Sequence, residues 1–213
     1  MNSLILDCSC GMNVVVIAGD NVFLSRDDNN KKHTDNLLVV VDEKLKEAGL
    51  SVNDLDNIGV CVGPGSFTGI RVAISMIKGL AVNSKARIFV LSNFDAFSKI
   101  DAEKYVCVLE GFSSFVYARF VGIGDIFDEC IDVKELAERL EKEQINKVYV
   151  LTEKTQNILL KSEINSQIVE NEIIYALLNK VGKGDSVELN QISPVYLRAS
   201  QAEIERNKKL NLG

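Results

Sequence analysis

The sequence predicts an α/β chain built from two successive βββαβα units. Three observations carry this. Short runs rich in Val, Ile and Phe, punctuated by glycine turns, open the chain and recur past its middle. Apolar residues at helical spacing follow each set. The two halves then repeat one order of elements, although no stretch of sequence repeats.

The first unit opens as a meander: SLILDC (3–8), NVVVIAG (13–19) and NVFLSR (21–26) read as strands. Gly11-Met12 and Gly19-Asp20 between them suit tight hairpins. After the polar DDNNKK (27–32), a helix begins at Thr34 as N-cap with Asp35 in its first turn. Leu37, Leu38, Val41, Leu45 and Ala48 form its core stripe, and Gly49 ends it. IGVCV (58–62) is a strand, GPGSFTGIRVA (63–73) a loop running into a helix over 68–82, and RIFVL (87–91) a further strand. Ser92 caps a short helix to Lys99.

SKIDAEK (98–104) is the seam. YVCVLEG (105–111), FVYARFVGI (115–123) and IFDECI (126–131) read as strands, followed by a helix over 133–144 with Asp132 at its N-cap. KVYVLT (147–152) is a strand and IVENEIIYALLNKVG (168–182) a helix. βββαβα is the element order of an RNase H-like unit. The domains expected are 1–99, 100–190, and a tail, 191–213, packing back on the first.

Composition sets limits on function. In 213 residues, 46% are hydrophobic and 25% charged, the balance of a globular chain with a sizeable core. A net charge of −6 argues against unaided grip on nucleic acid, which needs a basic face. No apolar run approaches the roughly 20 residues of a membrane span, and MNSLILDCSCG lacks a basic leader region, so a cytoplasmic protein without membrane contact is expected. Cys8, Cys10, Cys61, Cys107 and Cys130 are odd in number and lack C-x-x-C spacing, which suits thiols in a reducing compartment. With His33 the one histidine, no metal-ligand cluster is expected.

The glycine loop invites a phosphate-binding reading, which its register excludes. G-x-x-x-x-G-K-[ST] fails at Thr68 and Ile70, and no lysine follows. Gly63, Gly65 and Gly69 stand one residue too far apart for G-x-G-x-x-G. Ser66 is flanked by Pro64 and Thr68, not by the glycines of a nucleophile elbow. What remains is a stiff strand-to-helix turn of Gly63, Pro64, Gly65, Ser66, Thr68, Gly69 and Arg71, with Ser66 or Thr68 as helix cap. No catalytic residue is expected.

The helix after the loop is apolar on two sides. Ile70, Ile74, Ile77 and Ala81 make the core stripe, while Val72, Ala73, Met76 and Leu80 make a second. Val39 and Val40 likewise interrupt the polar side of the preceding helix. Such faces are covered either within the monomer or by a partner, and Met76 suits an adaptable contact. Asp7 also has two readings. Followed by Ser9 and Gly11, it is either a structural turn or a phosphate site, working or vestigial, like the first phosphate loop of actin-like ATPases.

VGPGSFTGIRVAISMIKGLA (62–81) resembles the signature of the TsaB family, also called YeaZ, close to GPGSFTGLR followed by a KGLA box. LILDCS (4–9) resembles that family's first strand, HTDNLLVVVDEKL (33–45) its His-Ser helix start, and SPVYLR (193–198) its C-terminal Pro-x-Tyr-Leu-Arg. The likeness is dense over 1–99 and sparse beyond.

The resemblance implies an actin-like ATPase fold of two RNase H-like halves. It implies a non-enzymatic scaffold and activator partnering TsaD, which transfers a threonylcarbamoyl group to N6 of adenosine 37 in tRNA, together with the ATPase TsaE. Helices 34–48 and 68–82 would form the heterodimer face, or a homodimer when alone. tRNA would be reached only through the complex, no cofactor would be tightly bound, and ATP or ADP would enter only in the assembly. The alternative is a stand-alone peptidase-like enzyme or ATPase of the same superfamily. The chain departs from the family in places. The paired metal-binding histidines of TsaD cannot exist beside a single His. EGFSSFVY (110–117) keeps only Val116 and Tyr117 of Asp-Ala-Arg…Glu-Val-Tyr, and Cys8 replaces a threonine.

Overall fold

The computed structural model describes residues 1–27, 33–169 and 180–198. It divides into one unit of Met1–Ile100 with Glu170–Val195 and another of Asp101–Val169 with Tyr196–Gly213.

The first unit runs β1 (Asn2–Asp7), β2 (Met12–Ala18), β3 (Asn21–Asp27), α1 (His33–Glu47), β4 (Asn57–Cys61), α2 (Phe67–Ala81) and β5 (Arg87–Leu91). The sheet order is β3-β2-β1-β4-β5. The hairpins make β1–β2 and β2–β3 antiparallel, and the helical crossovers make β1–β4 and β4–β5 parallel, as connection length requires. Alternation sends Leu4, Leu6, Val14, Val16, Ile58 and Val60 to one face, where Leu37, Val41, Leu45, Ile70, Ile74 and Ile77 cover them. Ile5, Val15, Phe89 and Leu91 fill the other face and pack with Val181.

Residues 180–195 complete this unit. Val187 donates its N–H to the Ile88 carbonyl (2.9 Å), covering part of the β5 edge. Ile192 enters the core, and Val195 donates to the Val62 carbonyl (2.9 Å). Element order had assigned everything to residue 190 to the second half. The open edge of β5 draws residues 180–190 to the first instead.

The second unit runs β6 (Tyr105–Phe112), β7 (Phe115–Val121), β8 (Phe127–Asp132), α3 (Val133–Lys142), β9 (Val148–Val150), α4 (Glu153–Leu160) and β10 (Gln167–Ile168). Its sheet order is β8-β7-β6-β9-β10, the order of the first unit. The fold is thus a duplicated RNase H-like topology. Asp132 caps α3 as expected, accepting from the Lys134 N–H at 2.9 Å.

Three expectations change. α1 starts at His33, so Thr34 lies in its first turn rather than before it. α4 is an element the sequence pattern did not show: it has only eight residues and buries only Thr155 and Leu159, too few for a readable stripe. The helix expected over 168–182 falls mostly outside the described residues, and Ile168 belongs to β10.

Candidate functional site

The GPGSFTG turn links β4 to α2 and is tied by hydrogen bonds to the ends of β1 and β5. The Gly63 carbonyl accepts from the Asn93 N–H (3.0 Å) and the Ser92 hydroxyl (3.1 Å). The Pro64 carbonyl accepts from Asn93 Nδ2 (2.8 Å), and the Ser66 N–H donates to the Ser9 carbonyl (2.7 Å). The Gly63–Pro64 peptide is cis. Ser66, not Thr68, caps α2, its hydroxyl accepting from the Gly69 N–H at 3.2 Å.

The glycines answer to the turn after β1. A Cβ on Gly69 would lie 1.9 Å from the Cys8 carbonyl oxygen, and one on Gly65 would lie 2.5 Å from that of Ser9. Both positions need glycine so that α2 can start against the backbone of the first loop. Gly63 adds a positive φ of 104°. Thr68 and Arg71 face outward on the first turn, with the Arg71 guanidinium 5.9 Å from the Phe67 ring centroid.

A buried polar cluster closes the carboxyl ends of β1, β4 and β5. Asp7, 1% exposed, accepts through Oδ1 from the Ser9 N–H (2.9 Å) and hydroxyl (2.5 Å), and through Oδ2 from Asn13 Nδ2 (3.4 Å). Asn93 Nδ2 also donates to Ser9 Oγ (2.6 Å), and its Oδ1 accepts from the Cys61 thiol (3.2 Å). Sequence reasoning missed Asn93; it lies in SNFDAF, after β5, and only the packing of three strand ends reveals it. Ser92 and Asp95 form a reciprocal capping box around it, and Lys180 Nζ meets Asp95 Oδ1 at 2.7 Å.

Chemically the cluster is closed. Gly63 and Pro64 turn their carbonyls, not their amides, toward Ser92 and Asn93, whereas an anion cradle presents amides. The Asp7 carboxylate is enclosed and accepts from this chain's own donors. No side-chain atom of the cluster is a buried orphan; among the described residues only Ser166 Oγ is. These residues therefore do not fit a phosphate or a metal in their present arrangement. Among the described residues, no three of His, Cys, Asp and Glu converge as metal ligands. Burial pushes the Cys8 thiol up to about 12, helped by Asp7, and pushes Cys61 well above its ordinary value, so both remain protonated and poor nucleophiles near neutrality.

The two helices form the other candidate surface. α1 and α2 touch one another and cover one face of the first sheet. Val39 is 55% exposed, while Val40, Val72, Met76 and Leu80 are half-buried at the margin of the core. Ala73 is fully buried, a correction to its place in the outer stripe: it stands about 40° from Ile77 around the helix, on the flank of the core face. Leu38 is the reverse, expected inside and 57% exposed. Val82, 68% exposed at the end of α2, adds an apolar group the helical wheel did not single out.

The sequence profile of the TsaD family, tRNA N6-adenosine threonylcarbamoyltransferase, matches residues 27–133, half of the chain. The tRNA threonylcarbamoyladenosine biosynthesis protein TsaB of Haemophilus influenzae is 33% identical over 92 residues, 41% of this chain and 39% of that protein. TsaB of Buchnera aphidicola is 31% identical over 103 residues, 48% of this chain and 49% of that one. The chain thus spans half or less of the length of these two relatives. A crystal structure of a Pseudomonas aeruginosa protein described as similar to peptidase YeaZ superposes with a TM-score of 0.69 at 22% identity, over 92% of this chain and 99% of that one, a likeness in fold. Among the described residues no helix is long and apolar enough to cross a membrane. With half of its length matched by the threonylcarbamoyltransferase profile and TsaB proteins among its relatives, the chain belongs to the TsaB/YeaZ branch of that family.

Proposed function

We propose that this chain is a non-catalytic subunit of the machinery that makes N6-threonylcarbamoyladenosine at position 37 of tRNA. It docks a TsaD homologue through α1 and α2, works with the ATPase TsaE in the cytoplasm, and meets tRNA through the assembly. The observation that carries the reading is the pair of touching helices, with Leu38 and Val39 exposed on α1 and Val72, Met76 and Leu80 half-buried on α2, in a chain related to TsaB. Solvent-exposed apolar groups grouped on one surface mark a contact site. The closed cluster at Asp7 supports the lack of catalysis: it offers neither an accessible base nor an activated nucleophile. Any ATP or ADP would then be held by the assembled complex. Without TsaD, the same face pairs two copies of the chain.

Reconstitution tests the role. TsaD, TsaE and threonylcarbamoyl-adenylate with tRNA should modify adenosine 37 only when this chain is added. Leu38→Arg and Val39→Arg test the surface without disturbing the core, because both side chains already face solvent. A charge buried without a partner costs about 3–5 kcal/mol, so each should weaken TsaD binding at least about 100-fold. Co-purification with TsaD that survives both changes would remove this face from the proposal.

The transferase profile favours a second reading, that the chain carries the transfer activity itself. Modification of tRNA by this chain in the absence of any TsaD, lost in Asp7→Ala, would establish it.

A further inference from the structure

We propose that Asn93 is a positioning residue for the docking helix: its amide fixes where α2 begins and so how its outer rim meets a partner. The inference rests on the reading of α1 and α2 as the docking face.

α2 is aimed by the turn before it, and that turn lies between two walls. On one side, Gly65 and Gly69 lean on the backbone of Cys8 and Ser9, within 2.5 Å of any added Cβ. That contact limits how close α2 can come, and one hydrogen bond, from the Ser66 N–H to the Ser9 carbonyl at 2.7 Å, holds the turn on that side. On the other side stands Asn93. Its main-chain N–H takes the Gly63 carbonyl and its side chain takes the Pro64 carbonyl, two consecutive acceptors just ahead of the Ser66 cap. The same Nδ2 reaches Ser9 Oγ at 2.6 Å, across the gap to the first wall. Its Oδ1 takes the Cys61 thiol at the end of β4. One amide therefore ties the turn to the ends of β1 and β4 from a position just after β5.

The tie is hard to replace. Asn93 is fully buried, so water cannot take over its bonds, and a buried carbonyl that loses its donor carries its full desolvation penalty. The residue is itself held from behind. Ser92 donates its N–H to Asp95 Oδ2 (2.8 Å), and Lys180 neutralises the other oxygen of that carboxylate. Without the side-chain amide, the Pro64 carbonyl loses its donor, while Ser9 Oγ keeps its bond to Asp7. The segment free to move in response is the turn, with the first turn of α2 behind it.

The test compares Asn93→Leu, close in shape but without a donor, with Thr152→Ala, which removes the cap of α4 in the other unit (Thr152 Oγ1 accepts from the Thr155 N–H at 3.2 Å). Two quantities are measured at a temperature where circular dichroism shows each variant folded: amide hydrogen exchange at residues 67–71, and the dissociation constant for purified TsaD homologue. Asn93→Leu should speed exchange in the first turn of α2 at least tenfold and raise the dissociation constant at least tenfold, while Thr152→Ala changes neither. If Asn93→Leu does not fold, Asn93→Ser, which keeps a hydroxyl but is too short to reach Pro64, takes its place with the same expectation. Exchange and affinity both within twofold of wild type in a folded Asn93 variant would overturn the proposal, even if its melting temperature falls. If the wild-type chain does not bind TsaD, the docking reading fails, and the exchange measurement still decides whether Asn93 holds the start of α2.

Discussion

At the residue scale, two glycines of one helix should answer alanine in opposite directions. The Cβ of Gly69→Ala would sit inside the carbonyl oxygen of Cys8 and must push the backbone aside. A loss of about 2–4 kcal/mol is expected in a urea melt, the range for forced overpacking and displaced backbone. Gly79→Ala meets nothing within 4 Å on an exposed helical position. It should gain about 0.5–1 kcal/mol through propensity and a restricted unfolded chain. Equal effects at the two sites would show that α2 does not press on the first loop. The sequence announced that these glycines mattered but not what they touch, because Cys8 and Ser9 lie some sixty residues away. The same limit hid Asn93, an ordinary residue whose role exists only where three strand ends meet. A wheel projection also misplaced Leu38. It stands within about 20° of Leu45 around α1, two turns earlier, and azimuth says nothing of how far along its axis a helix overlies its sheet.

At the scale of elements, three helices end in the same way with different residues. α1, α3 and α4 each close with an i+5 backbone bond, Leu50 to Leu45 (2.9 Å), Ile145 to Leu140 (2.8 Å) and Ile164 to Leu159 (3.1 Å). The residue before each apolar closer has positive φ: Gly49 at 68°, Gln144 at 54° and Glu163 at 59°. Only the first is a glycine. Gln144→Gly and Glu163→Gly should therefore each stabilise the second unit, by about 0.5–1 kcal/mol after the added freedom of the unfolded chain is subtracted from the strain removed. Unchanged or lower denaturation midpoints in both would show that the left-handed conformation costs nothing here. The end of α1 was marked in the sequence by Gly49 and the end of α3 was expected at 144 without a glycine to mark it, whereas Glu163 gave no stop signal and α4 went unread.

At the scale of the whole molecule, the duplication was legible as an order of elements and is secured by strand order, β3-β2-β1-β4-β5 against β8-β7-β6-β9-β10. The first seam was legible too, SKIDAEK containing the change of unit after Ile100. The return of residues 180–195 was not, since a bridge to an edge strand and one buried isoleucine leave no period in the sequence. That return has a cost that can be measured. Ile192 is 2% exposed in the first core, and Ile192→Ala should cost about 2–5 kcal/mol. The loss should appear as a lower unfolding midpoint reported by the first unit. A variant as stable as wild type would mean that the segment merely lies on the surface.

The return of residues 180–195 also sets a timetable for synthesis. A ribosome releases this chain from residue 1 onward, and domains generally fold as they emerge. Residues 101–169, the body of the second unit, leave the ribosome before Val181, Val187 and Ile192 exist to finish the first. The unit begun first thus receives its last core residues only after the body of the second has left the ribosome. From the synthesis of β5 until Val181, Val187 and Ile192 appear, its edge and the faces they will cover stand open, the condition in which a nascent chain is prone to pair with its neighbours and in need of a chaperone.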